Sequence, residues 1–209
     1  MDLSLSLEEY LDDLSSNSPT PGGGNAAALC GTLAACLGTM VCNLTIGKKK
    51  YQEVEKEIKE LKEKLISVRK KFILLAGRDN EAFEKVMDAL KLPKETDEEK
   101  ALRQRALESS TYNAALVPAE VISTCKEILH YLEIITAKGN RSSLSDAGVA
   151  VSLIGAAAEG AFLNVLINYS SLQDKTPYRD FLVKHESAYS QVIEKSQQLT
   201  GEIIQKLRT

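Results

Sequence analysis

Tryptophan is absent from this 209-residue chain, and aromatic residues of any kind make up only 5% of it. That scarcity weakens any case for platforms on which nucleobases stack. The net charge of -3 argues against a nucleic-acid binder as well, because affinity for a polyanion comes mainly from neutralising phosphates. Histidine is limited to His130 and His185, and the four cysteines include no CxxC pair, so a zinc cluster is not expected. Cys30, Cys36, Cys42 and Cys125 read instead as reduced, buried small hydrophobes of a cytoplasmic protein. The opening MDLSLSLEEY lacks the basic start and apolar run of a signal peptide. Strand-like alternation is missing too, and glycines cluster only at 22 to 24.

What is present is helical spacing, with 44% hydrophobic and 26% charged residues, as in an ordinary globular domain. The expected fold is all-α: one domain spanning residues 1–209, an up-and-down bundle of about six helices. The helices are expected over Leu3–Leu14, from the glycines to near Gly47, over Tyr51–Leu90, and from Thr96 to about Ala137. A fifth starts near Ser143 or Ser145, and a sixth opens at TPYRD. Thr96 and Glu99 have capping-box spacing, Gly139 is a stop signal, and Thr176 with Pro177 suits a helix start. Pro118 is expected to kink the fourth helix. Two segments, Ala26–Ile46 and Ala147–Ile167, are long and nearly uncharged. Their small residues, with Asn43, Glu159 and Asn164 inside them, fit the centre of a bundle better than a membrane span.

The sharpest signal lies on the third helix. Its apolar stripe reads Val54, Ile58, Leu61, Leu65, Val68, Phe72 and Leu75 in steps of four and three, and the next step lands on Asp79. The stripe resumes at Ala82 or Phe83, Val86 and Leu90. A carboxylate placed where a core residue is due either pairs with Arg78, a lysine or a helix terminus, or faces a cleft with its pKa raised for acid–base work. Spacing leaves both open.

Other polar residues stand in apolar company. Asn164 and Asn168, four apart, present amides on one helical face, for a heterocycle edge or for inter-helix hydrogen bonds. Asn140, Ser145 and Asp146 sit at a loop and helix start, where capping is the simpler reading. Lys48, Lys49 and Lys50 form either a solvated corner or a receptor for an anionic tail. The run SPTPGGGN lacks the lysine and hydroxyl of a phosphate-binding P-loop. Pro21, Gly22, Gly23 and Gly24 are read as one wall of a ligand site, since residues without Cβ let backbone N–H groups approach closely.

Together, SPTPGGGNAAALCGTLAACLGTMVCNLTIGKKKY, GRDNEAF, LPKETDEEKALRQ, VPAEV and GNRSSLSDAGVAV with GAFLNVLINYSSLQD resemble the cyclodeaminase/cyclohydrolase family of folate enzymes over nearly the whole chain. The resemblance implies an all-α homodimer acting on a tetrahydrofolate substrate, polyglutamylated or not, with no metal and no further cofactor. It implies formiminotetrahydrofolate cyclodeaminase activity, with methenyltetrahydrofolate cyclohydrolase activity or non-catalytic folate binding as alternatives. Its acid–base aspartate matches Asp79. Pro21 to Gly24 would wall the folate site, Lys48 and Lys49 would meet the glutamate tail, and Asn140, Ser145, Asp146, Asn164 and Asn168 would line the cleft. The residue after the glycines, often serine in the family, is Asn25 here; it is counted among the substrate contacts. A formiminotransferase half is not part of this sequence, so no channelling is expected on the chain.

Overall fold

The computed structural model describes residues 6–209, and in these every regular element is helical. Helix α1 covers Leu7–Ser15, α2 Gly23–Thr45, α3 Glu55–Leu90, α4 Asp97–Lys138, α5 Leu144–Ser170 and α6 Arg179–Arg208. The part of the first expected helix before Ser6 lies outside the described residues. Ser6 closes α1 in a capping box with Glu9, and Thr96 does the same for α4 with Glu99.

Four boundaries differ from the sequence reading. Helix α2 begins inside the glycine run, with Gly22 as its N-cap. Lys49–Val54 forms a 3-10 helix, so α3 proper starts only at Glu55. A 3-10 turn over Thr176–Tyr178 likewise precedes α6; the Thr176 side chain caps nothing, and its N–H donates to Asp174 Oδ1 instead. Neither Ser143 nor Ser145 caps α5 through its side chain; Asn140 caps the short 3-10 turn before it. Helix α4 runs unbroken through Pro118, whose ring is buried.

The core stripe is as regular as its spacing. Ile58, Leu61, Leu65, Val68, Phe72 and Leu75 are all buried, each contributing roughly 1.5–3 kcal/mol. Helix α2 packs between α3 and α5, and α4 between α3, α5 and α6. Small residues on α2 make this closeness possible. Gly24, Gly31 and Gly38, seven apart, face Asp79, Phe72 and Leu65, also seven apart, across an antiparallel contact. A Cβ on Gly31 would come within 2.5 Å of the Phe72 ring, and one on Gly38 within 3.2 Å of Leu65. The 3.5-residue repeat keeps both sets facing each other along the pair. Large side chains of α3 therefore seat in notches of α2, and the topmost notch receives a carboxylate.

Helices α2 and α5 are long and apolar enough to cross a bilayer, with mean hydropathy of 1.7 and 1.8 in their most apolar windows. About half of each window, 50% and 44%, is covered within the bundle. Cys42 and Cys125 are buried thiols as expected, but Cys30 is half-buried and Cys36 is exposed on the outer face of α2, correcting the reading of four buried cysteines.

Candidate active site

Asp79 sits at the N-terminus of α2, in the notch left by Gly24. A Cβ there would lie 2.6 Å from the carboxylate carbon, so only glycine admits the side chain. The half-buried carboxyl has its pKa pushed above the usual 3.8 by loss of hydration, and the Asn25 backbone N–H, which favours the anion, opposes this in part. Of the simple partners the sequence offered, the helix terminus is the one present. Arg78 turns away and pairs with Glu120 at 2.7 Å. Burial wins over the helix end, leaving a carboxyl able to hold or release a proton nearer neutrality.

Around it lies a cavity of about 320 Å³, lined by Pro19, Thr20, Gly22, Gly23 and Gly24 from the entry to α2. Asp79, Phe83 and Val86 come from α3, Thr111 and Ala114 from α4, and Asn164, Ile167, Asn168 and Ser171 from the end of α5. Among the described residues, Asp79 is the one ionisable group of that lining. Asn164 Nδ2 donates to the Gly160 carbonyl at 2.8 Å, and Asn168 Nδ2 to the Asn164 carbonyl at 2.9 Å. Both amides are thus anchored on their own helix, and their Oδ1 atoms accept no hydrogen bond from the described residues. The inter-helix bonds that the sequence left open are not made.

The structure brings Gly22, Gly23, Gly24, Asp79, Asn164 and Asn168 to one cavity. It does not bring the rest of the sequence-derived set there. Pro21 follows a cis peptide bond in the entry turn, and its neighbours rather than Pro21 itself line the cavity. Asn25 is fully buried: its Oδ1 accepts from Tyr10 at 2.9 Å, and its Nδ2 donates to the Ala76 carbonyl at 2.8 Å and Asn80 Oδ1 at 3.2 Å. It is a strut between α1, α2 and α3 behind Asp79, so the exchange of serine for asparagine does not alter a cavity wall.

Lys48 and Lys49 lie beyond the other end of α2, about 33 Å away at 1.5 Å per residue. Asn140 is at that same far end, buried and committed to structure. Its N–H donates to Thr45 Oγ1 at 2.9 Å, and its Nδ2 donates to the Leu44 carbonyl at 3.0 Å. Ser145 is exposed and Asp146 half-buried in the first turn of α5, also remote from Asp79. These five positions cannot share a site with Asp79 inside one chain, because they flank the opposite end of the bundle.

Sequence reasoning missed Thr20, Phe83, Val86, Thr111 and Ile167. Phe83 and Val86 had a readable signal, lying four and seven residues after Asp79 and so on its face. Two other clefts of about 370 Å³ lie elsewhere on the bundle, one by Arg78, Glu81 and Lys85 and one by Lys50, Tyr51 and Arg141.

Residues 6–188 match the formiminotransferase-cyclodeaminase family. The chain is 46% identical to methenyltetrahydrofolate cyclohydrolase of Methylorubrum extorquens over 169 residues, 81% of each chain. It is 31% identical to formimidoyltransferase-cyclodeaminase of Mus musculus over 172 residues, which is 82% of this chain and 32% of that longer protein. The fold matches the crystal structure of formiminotetrahydrofolate cyclodeaminase from Thermotoga maritima with a TM-score of 0.81, at 33% identity over 96% of this chain and 98% of that one. With a family match that spans both the glycine entry to α2 and Asp79, the chain belongs to the formiminotransferase-cyclodeaminase family.

Proposed function

We propose that this protein is an enzyme of folate one-carbon metabolism acting at the N5/N10 bridge of tetrahydrofolate derivatives. The observation that carries the reading is the desolvated Asp79 carboxyl, the one ionisable group among the described residues of a cavity walled by the glycine entry to α2 and by the side chains of Asn164 and Asn168. The favoured reaction is hydrolysis of 5,10-methenyltetrahydrofolate, since the relative sharing 46% identity over equal shares of both chains bears that name. Asp79 takes a proton from the water that attacks the methenyl carbon. The carbon–N5 bond of the resulting adduct then breaks, N5 receives a proton from Asp79, and 10-formyltetrahydrofolate forms with net release of one proton. A positioned acid–base group is worth roughly 10²–10⁴-fold in such a step.

The second reading, cyclodeamination, is supported by the likeness to the Thermotoga cyclodeaminase over almost the full length of both chains. There N10 attacks the carbon of the protonated formimino group of 5-formiminotetrahydrofolate and gives its proton to Asp79, which passes it to the departing nitrogen. The bond from carbon to that nitrogen then breaks, releasing ammonia and leaving the methenyl cation. Neither reaction as drawn uses a metal or a redox cofactor. The assay is absorbance of the methenyl chromophore with each substrate. Accelerated loss of the chromophore supports hydrolysis; its appearance from the formimino compound with ammonia release supports deamination. Inertness toward both, at substrate concentrations well above those of related enzymes, contradicts the proposal.

We propose also a cytoplasmic homodimer. The outer faces of α2 and α5 expose Leu33, Met40, Leu44, Val149, Leu163 and Ile167, and Glu159 is the only charged side chain exposed on either helix. A second copy packed antiparallel across this face would carry its lysine-bearing end toward the Asp79 cavity. That arrangement brings lysines toward an anionic glutamate tail, where the described residues lining the cavity of one chain include none.

A further inference from the structure

The α3 stripe resumes after Asp79 at Phe83, Val86 and Leu90, yet the core does not follow it. Beyond Ala76 the only buried residue of α3 is Ala89, and the first buried residue of α4 is Thr111. The α3–α4 hairpin thus extends past the bundle with its apolar face uncovered, Phe83 being 36% and Leu90 44% exposed. Phe83 and Val86 nonetheless line the Asp79 cavity, one and two helical turns beyond the carboxyl. The cavity is therefore two-sided: Asn164 and Asn168 contribute side-chain amides from α5, while Phe83 and Val86 contribute hydrocarbon from α3. Asp79 belongs to the same lining.

A tetrahydrofolate has the same asymmetry about its reacting carbon. A pteridine with N–H groups on its edge adjoins the bridge through N5, and a benzoyl ring without edge donors adjoins it through N10. Taking the folate reading above as given, we infer that Phe83 is the platform for the benzoyl ring, stacking on it with Val86 beside it, while the amides of α5 take the pteridine edge. A hydrocarbon wall offers the pteridine donors nothing, and their desolvation there is unfavourable. Aromatic contact with the benzoyl ring has no such penalty.

The test uses the intact protein and three variants. Phe83→Ala is expected to raise KM for 5,10-methenyltetrahydrofolate about tenfold with kcat changed less than threefold, and Phe83→Leu to fall between it and wild type. Phe83→Tyr, which keeps the ring, is expected to restore KM to within about threefold. Inhibition by p-aminobenzoylglutamate should weaken about tenfold in Phe83→Ala, while inhibition by a simple pterin is unchanged. An unaltered KM, a Tyr variant as impaired as the Ala variant, a loss confined to the pterin, or no inhibition of wild type by millimolar p-aminobenzoylglutamate would each overturn the inference. A wild-type protein without folate activity in either assay would instead remove the reading on which it rests.

Discussion

At the scale of single residues, the site depends on a missing methyl group. Gly24 is buried against the Asp79 carboxylate, whereas a Cβ on exposed Gly23 would meet only Asn164 Nδ2, at an ordinary 3.4 Å. Gly24→Ala is therefore expected to displace Asp79 and cut kcat at least a hundredfold, with the helical circular dichroism spectrum retained. Gly23→Ala should keep kcat within about threefold. Equal effects of the two substitutions would contradict the placement of the carboxylate. Asp79 itself was legible as a break in the apolar stripe, although spacing did not separate a paired carboxylate from one that faces a cleft. Asn25 was not, since nothing in its neighbours tells whether a side chain in the first turn of a helix points to a ligand or back into the core.

At the scale of elements, the paired heptads of α2 and α3 set the geometry. The α3 half was readable from its stripe, but the glycine run was read only as a wall of a ligand site, with Gly31 and Gly38 passed over. Their meaning depends on which helix faces them, and that is not local information. Gly31→Ala would drive a methyl into the fully buried Phe72 ring. It is expected to destabilise the fold by about 1–3 kcal/mol, read as a lowered midpoint in urea. An unchanged midpoint would mean that α2 and α3 can separate freely, and that the notch holding Asp79 is not fixed by packing. Capping boxes at Ser6 and Thr96 lie where short-range spacing can act, and only the box at Thr96 was read from the sequence. The starts of α3 and α6 are preceded by 3-10 turns, which the same α-helical periodicity cannot distinguish from a first turn.

At the scale of the whole molecule, helical spacing indicated an all-α bundle, but not that the candidate residues divide between its two ends. Lys48, Lys49, Asn140, Ser145 and Asp146 are close to one another in space and far from Asp79, because a helix of 23 residues separates them. Spacing along a sequence says which face a residue occupies, not which end of a neighbouring helix it will meet. The proposed antiparallel pairing makes a direct prediction. Leu163→Glu, on the exposed face of α5, is expected to shift sedimentation from dimer to monomer while leaving the helical spectrum intact. Its KM for a polyglutamylated substrate should rise more than its KM for the monoglutamate. A variant that stays dimeric, or a wild type that sediments as a monomer at micromolar concentration, would contradict the pairing.

The central claim is that Asp79 moves the proton at the bridging carbon, and the most direct test is the pH–rate profile of wild type beside Asp79→Asn. Asparagine keeps the shape and the notch but cannot exchange a proton. Because burial raises the carboxyl pKa above 3.8, and water attack needs the carboxylate, wild-type kcat should rise with pH through an inflection above that value. Asp79→Asn should lose about 10²-fold or more in kcat and lose the inflection, while still binding the substrate. A variant with wild-type turnover, or with a reduced rate and the same inflection, would show that the proton is carried by another group.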